Sequence, residues 1–307
     1  MTTAIITDPS CLLHQTGIGH PDCADRIIVI ANTLAKLKSI VTFEKSIKAT
    51  LEQLQMVHDL KYIDEIFKLN TENDLINIDS DTLIGPHTLE AALHAAGAVI
   101  QAVDLVLSKP PLINSVFCNI RPPGHHAMRD RAMGFCFFNN LAIGVAHAIK
   151  TYNFKRIAIV DFDAHRGNGT EDIFLNSKKV LICSIYEDLL YPFDSPPENA
   201  SNIINIPLAP GSTGREFRAE IIQHMLDKIN AFKPEIIFCS AGFDGHEKDP
   251  ISTLNLTEFD YLWLSQQLKQ IADNHCKGRI ISVLEGGYAL DVLGSCVLAH
   301  VSGFSGS

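Results

Sequence analysis

Basic residues are scarce in this chain: 25 Lys and Arg stand against 35 Asp and Glu over 307 residues, for a formal net charge of −10. That deficit argues against the broad electrostatic footprint of a nucleic-acid-binding protein, which needs Lys and Arg clustered on one face. It leaves room for a cationic substrate, because local potential governs such recognition more than total charge does. The eight cysteines, at 11, 23, 118, 136, 183, 239, 276 and 296, contain no C-x-x-C pair, and several sit inside apolar runs such as Ile182-Cys183 and Phe238-Cys239. They read as buried free thiols in a reducing compartment, not as a disulfide framework. No run reaches the ~18 uninterrupted apolar residues of a membrane span. The N-terminus lacks the basic and apolar regions of a signal peptide. A cytoplasmic location without membrane association is therefore expected. No internal repeat, low-complexity tract or Gly-, Ser- or Pro-rich linker divides the chain, so residues 1–307 are expected to form one unit.

What is present is a regular alternation of elements. Strand-like runs occur at 4–7, 113–119, 157–160, 180–185, 203–206, 235–240 and 279–284. Helical apolar stripes occupy 25–37, 50–68, 88–107, 139–150, 215–232, 258–274 and the segment after Ala289. Thr50 and Gln53 are spaced as a capping box, and Pro110-Pro111 stops the Ala-rich helix before it. This order predicts an α/β fold, a parallel sheet with helices on both faces. The proline-rich stretch 186–202 reads as a long surface loop, and loops of that length in compact domains are often functional.

Chemistry concentrates where the strands end. Ile157–Val160 runs straight into Asp161-Phe162-Asp163-Ala164-His165-Arg166-Gly167-Asn168-Gly169-Thr170. Carboxylates at the end of a buried strand are costly unless something compensates them, and a metal ion is a common compensator. Side chains two apart on an extended strand share a face, so Asp161, Asp163 and His165 can point the same way. Gly167-Asn168-Gly169 reads as turn chemistry. Three more strands end in polar motifs: Arg121-Pro122-Pro123-Gly124-His125-His126, then Ala241-Gly242-Phe243-Asp244-Gly245-His246 with Asp249-Pro250, then Glu285-Gly286-Gly287-Tyr288. Ligands of open parallel sheets bind at the carboxyl ends of strands, so four such ends imply one shared site. Asp163, His165 and Asp244 form a two-carboxylate, one-imidazole ligand set suited to a catalytic Zn²⁺, although Fe²⁺ or Mn²⁺ would also fit. His125 and His126 supply acid/base capacity near neutral pH, and Tyr288 can offer its O–H to a developing oxyanion. Taken singly, a His pair, a turn aspartate or a Gly-Gly-Tyr loop is structural more often than catalytic. Their joint placement at four strand ends is what points to a site.

These motifs, together with Gly134-Phe135-Cys136-Phe137-Phe138-Asn139-Asn140, resemble the zinc-dependent histone deacetylase family over nearly the whole chain. The Asn168 and Leu284-Glu285-Gly286-Gly287-Tyr288 variants are similar to its class II branch, which groups with bacterial deacetylase-like and acetylpolyamine amidohydrolases. The resemblance implies a single catalytic domain spanning 1–307 with the three-layer arginase-deacetylase fold. It implies Zn²⁺ on Asp163, His165 and Asp244, and a structural K⁺ near Asp161, Asp163, His165, Ser184 and Ile185. It implies that metal-activated water attacks an acetyl carbonyl polarised by Tyr288, with His126 as general base. The protonated His pair then assists departure of the amine. Asp161 would orient His125 and Asn168 would orient His126. An amide partner brings no negative charge, so His126 should be less basic than a carboxylate-paired histidine. Gly134, Phe135 and Tyr191 would line an acyl-lysine tunnel. The implied substrate is an acetylated protein such as a histone, or an acetylated polyamine.

Two positions depart from the pattern. Arg166 stands where the family usually has a second histidine, and Tyr186 replaces a common histidine. A two-metal ureohydrolase of the arginase type would need acidic residues where Gly167 and His246 stand. A catalytically dead acyl-lysine reader is opposed by retention of both histidines, all three ligands and Tyr288. Acetylpolyamine hydrolysis would call for a narrow acidic gate, for which Glu187 and Asp188 are the candidates.

Overall fold

The segments Ile157–Asp161, Ile236–Ala241 and Ile280–Leu284 are buried at every position. That is the pattern of strands covered on both faces. In the computed structural model, which describes residues 2–37, 41–71, 74–108 and 113–304, they form the centre of a sheet. Its strands are β1 (Thr2–Thr7), β2 (Val41–Lys45), β5 (Ile113–Cys118), β6 (Ile157–Asp161), β7 (Val180–Glu187), β8 (Ile203–Leu208), β9 (Ile236–Ala241) and β10 (Ile280–Leu284). A separate short hairpin pairs β3 (Ile76–Asn77) with β4 (Leu83–Ile84). The sheet order is β2-β1-β5-β10-β9-β6-β7-β8, and every neighbouring pair is parallel.

Helices Thr88–Leu107 and Asn140–Tyr152 pack together in one flanking layer. Leu290–Phe304 packs between Asp25–Leu34 and Glu258–His275 in the other. The result is the three-layer α/β architecture expected from the alternation, in the arginase-deacetylase form that the resemblance implies. Thr88–Leu107 is long and apolar enough by composition to cross a membrane, yet 61% of its apolar window is buried within the protein. It reads as a core helix.

Register places the site. Asp161 pairs with Ser184 on one side and Ser240 on the other, and Leu284 pairs with Ala241. The carboxyl ends of β5, β10, β9 and β6 are therefore adjacent, and the four motifs leave the sheet side by side.

Several boundaries differ from those read in the sequence. The 50–68 helix is two helices, Leu51–Leu54 and Leu60–Lys68. The capping box at Thr50 is present. The helix breaks because tertiary bonds capture the backbone and side chains between the two. The Asp59 amide donates to Arg129 O at 2.9 Å, and the buried His58 ring lies 2.9 Å from Met128 O and accepts from the Asn139 amide at 2.9 Å. The 215–232 helix contains one π-helical turn at Ile222–Leu226. Strand β7 extends through Tyr186 and Glu187, so the long loop begins two residues later than expected. The edge strand β2 is exposed at three of its five positions and lacks the apolar run by which strands were recognised. Pro110-Pro111 lie outside the described residues.

Candidate active site and metal centre

Beyond Asp161 the chain leaves the sheet, so the two-residue alternation expected for Asp161, Asp163 and His165 does not continue. The Asp161 carboxylate faces His125 instead, accepting from Nδ1–H at 3.0 Å. Gly167-Asn168-Gly169 is not simply a turn: Asn168 opens a helix, Asn168–Phe174. That helix aims the Asn168 carbonyl at His126, whose Nδ1–H donates to it at 2.8 Å. The two imidazoles lie with ring centres 4.0 Å apart. One leans on a carboxylate and the other on a neutral amide. With Nδ1 of His126 committed as a donor, its Nε2 is left with a lone pair.

The partners separate the two rings electrostatically. Burial opposes charge on His125, but the Asp163 and Asp161 carboxylates outweigh it and push its pKa up to about 10. A dication held by Asp163 would offset part of that pull. Burial, reinforced by the neighbouring His125 and His165, holds His126 well below the ordinary histidine range. A buried pair with divergent basicity is what acid/base division of labour needs.

Asp163, His165 and Asp244 converge, with ligand-type atoms all within 4.8 Å of one another. Backbone amides hold both oxygens of Asp163, Oδ1 through His165 N–H at 2.9 Å, and one oxygen of Asp244. Gly286 N–H donates to Asp163 Oδ2 and Ala164 N–H to Asp244 Oδ1, both at 2.8 Å. The other oxygens, Asp163 Oδ1 and Asp244 Oδ2, face His165 Nδ1 at 2.9 and 3.0 Å. Burial and the adjacent Asp163 charge push the Asp244 carboxyl up to about 7. Two carboxylates crowded in a dry site with an imidazole fit a divalent cation, which relieves both desolvation and repulsion. Close approach here requires glycine: a Cβ on Gly286 would lie 2.2 Å from Asp244 Oδ2.

Around this cluster stand the other residues singled out in the sequence. Tyr288 is held by its surroundings: its amide donates to Asp249 Oδ2 at 2.6 Å, and its ring sits 6.1 Å from that of Phe135, edge to face. Tyr191 stands edge-on to His126 with ring centres 5.0 Å apart. Gly134 has φ +57°, and a Cβ there would strike the His126 ring at 2.5 Å. Ser184 Oγ is buried beside Asp161 in the register and has no hydrogen-bond partner among the described residues. An orphaned hydroxyl of that kind suits a bound cation. Glu187 is not at the mouth. It is buried and accepts from the Thr253 amide at 2.7 Å and hydroxyl at 2.6 Å, so it cannot form an acidic gate, whereas Asp188 is exposed.

A profile of the histone deacetylase domain matches residues 20–304. The chain belongs to the histone deacetylase family. It is 36% identical to a probable deacetylase of Archaeoglobus fulgidus, over 99% of this chain and 87% of that protein. It is 30% identical to a histone deacetylase-like amidohydrolase of Pseudomonas aeruginosa, over 99% and 86%. The crystal structure of the HDA15 HD domain superposes with a TM-score of 0.91 at 29% identity, covering 100% of this chain and 88% of that one. The protein is thus a histone deacetylase-family hydrolase.

In this deacetylase chain the sequence reading overlooked a supporting network. Glu285 is fully buried, and its Oε2 accepts from the amides of Gly124 and His125 at 2.7 and 3.1 Å. Arg26 is also fully buried. It pairs with Asp22 at 2.8 Å and donates to the carbonyls of Glu285 and Gly287. Arg121, which opens the polar motif after β5, forms an ion pair with the other Asp22 oxygen through Nε at 2.9 Å. Asp22 and Arg26 are spaced four apart, which in a sequence looks like an ordinary exposed helix pair. Among the described residues one other metal-type group occurs, His246, Glu258 and Cys296. There the Lys248 amide donates to His246 Nδ1 at 3.2 Å, which leaves the proton on Nε2, facing Glu258 at 3.5 Å. That tautomer makes a hydrogen-bonded pair, not a ligand.

Proposed function

We propose that the protein is a zinc-dependent deacetylase that hydrolyses the acetyl amide of lysine side chains in proteins such as histones, acting as one catalytic domain in the cytoplasm. The observation that carries this reading is the set of three ligand-type side chains gathered within 4.8 Å beside a His pair whose members have different partners. Asp163, His165 and Asp244 would hold Zn²⁺, which when bound supplies Lewis-acid polarisation of the acyl carbonyl and acidifies water. His126 Nε2 takes the proton from the attacking water, because its Nδ1–H is committed to Asn168 and its basicity is low enough to release that proton again. His125, kept protonated by Asp161, delivers a proton to the departing amine. The Tyr288 hydroxyl donates to the oxygen on which negative charge develops. Gly134, Phe135 and Tyr191 flank the path of the acyl-lysine stem. K⁺ would sit by Asp161, Asp163, His165, Ser184 and Ile185, and the orphaned Ser184 hydroxyl supports that placement.

The test pairs metal analysis with turnover of an acetyl-lysine peptide and of N-acetylputrescine. One zinc per chain with peptide hydrolysis is the expected result. Preference for N-acetylputrescine would move the substrate to acetylated polyamines. Zinc-loaded protein that hydrolyses neither would sink the reading.

A further inference from the structure

Arg166 departs from the family pattern beside a ligand residue, and its surroundings give it a task. It is 3% exposed, yet carries a permanent charge, so its partners must account for it. One arm of the guanidinium, Nη1, donates to Glu171 Oε2 at 2.5 Å. The other, Nη2, donates to both the backbone carbonyl and the carboxylate of Asp194, at 2.7 and 2.6 Å. Glu171 belongs to the helix that opens with Asn168, the partner of His126. Asp194 lies three residues after Tyr191, on the same loop.

That loop touches the core through Leu190 and the buried Pro192, but two of its large apolar side chains do not pack. Leu189 and Phe193 are 83% and 85% exposed. Open clefts of about 150 and 290 Å³ flank it, and Arg166 and Asp194 line both. A segment flanked by clefts, with Leu189 and Phe193 in water and few core contacts, depends on polar tethers for its position. The planar fork of Arg166 is such a tether, and it joins the loop to the helix holding the His126 partner. Tyr191 is the side chain this fixes, at 5.0 Å from His126 and 6.4 Å from His165 between ring centres.

We propose that Arg166 is a specificity-determining residue: by latching Asp194 it sets the position of Tyr191 and so the width of the channel beside the reacting acyl group. This rests on the reading of the site as an acyl-lysine hydrolase. It acts by positioning and touches no reacting atom, so its signature lies in selectivity. Asp194 is about half exposed, so Asp194→Ala removes the charged arm of the latch, leaving only the bond to the backbone carbonyl, without a buried orphan carboxylate.

In the zinc-loaded protein, Asp194→Ala should change the ratio of kcat/KM for butyryl- over acetyl-lysine peptide by about fivefold or more. The change should come through KM, with kcat for the acetyl substrate within about twofold of wild type. Amide hydrogen exchange over 189–194 should accelerate, and Asp194→Glu should restore both readouts. Arg166→Lys should shift the ratio in the same direction, since one ammonium cannot span both acceptors. A wild-type ratio together with wild-type exchange in Asp194→Ala overturns the proposal. A wild-type enzyme inert toward every acyl-lysine peptide overturns the reading of the site instead, and the exchange rates then decide the latch alone.

Discussion

The Arg26 guanidinium lies 4.8 Å from the centre of the Tyr288 ring while binding the carbonyls of Glu285 and Gly287, on the same turn. A residue of the helix Asp25–Leu34 thus grips both the tyrosine ring and the turn that carries it. Arg26→Lys keeps the charge but loses the fork, so kcat should fall by roughly 10- to 100-fold with KM little changed, since a misplaced tyrosine weakens the transition state more than the ground state. Steady-state kinetics with a urea-melt control separates this from unfolding. A variant with wild-type kcat would deny Arg26 that role.

Tyr288→Phe removes the hydroxyl and leaves the ring stack in place. If the hydroxyl binds the developing oxyanion, the loss is about 2.7–4 kcal/mol of transition-state stabilisation, which appears in kcat. An unchanged kcat would leave the oxyanion to other donors.

Exhaustive chelation should abolish hydrolysis and lower the melting temperature, because a ligand that binds only the folded state stabilises it by about 4 kcal/mol at a thousandfold excess over Kd. Asp244→Asn should behave as the chelated wild type does and retain less than one zinc per chain by elemental analysis. Full zinc occupancy in Asp244→Asn would remove that carboxylate from the ligand set.

If His126 is the base, as proposed, it must be neutral to accept a proton, and activity should fall as pH drops through its pKa. Burial and the adjacent His125 and His165 depress that pKa, which places the acid limb of kcat/KM below 6.5 in the wild type. Asn168→Asp puts a carboxylate where the amide oxygen stands, favours the protonated ring, and should move the acid limb upward by about one to two pH units. A limb that does not move would show that another group titrates there.

His300 offers a stability test away from the metal. It is buried between Ser265 and Ser282, at 2.6 and 2.8 Å, and burial lowers its pKa to about 3. The unfolded chain takes up the proton near the ordinary value of 6.5 and the folded chain does not. Its contribution is therefore fully present above pH 6.5 and is lost as pH falls towards 3. The loss at the acid end is on the order of 5 kcal/mol, at about 1.4 kcal/mol per pH unit. His300→Asn should flatten the fall in the urea midpoint across that window.

Much of the fold was legible because its signals are local. Apolar strands covered on both faces and helical stripes recur at regular intervals, and the capping box at Thr50 is a four-residue motif. What was missed depends on contacts across the chain. The 50–68 helix breaks because His58 and Asp59 are bonded to Met128, Arg129 and Asn139. The edge strand β2 has a mixed face that only its neighbour β1 organises. Glu187, an attractive surface carboxylate in the sequence, is claimed by Thr253.

The sequence alone determined which chemistry was available: two carboxylates and an imidazole for a metal, a His pair, and a tyrosine on a glycine turn, each following an apolar strand. These follow from side-chain type and short spacing, which survive in any compact conformation. Tertiary structure alone decided how the work is divided. The sheet order sets β5, β10, β9 and β6 side by side, although their ends are separated by as many as 166 positions in the chain, between Cys118 and Leu284. That order turns Asp161 towards His125 and leaves Asp163 to His165 and Asp244. It also buries Arg26 under Tyr288 and extends Arg166 to Asp194. Which partner a charge finds in a dry interior depends on distances of a few ångströms between remote segments, and local sequence carries no record of those distances.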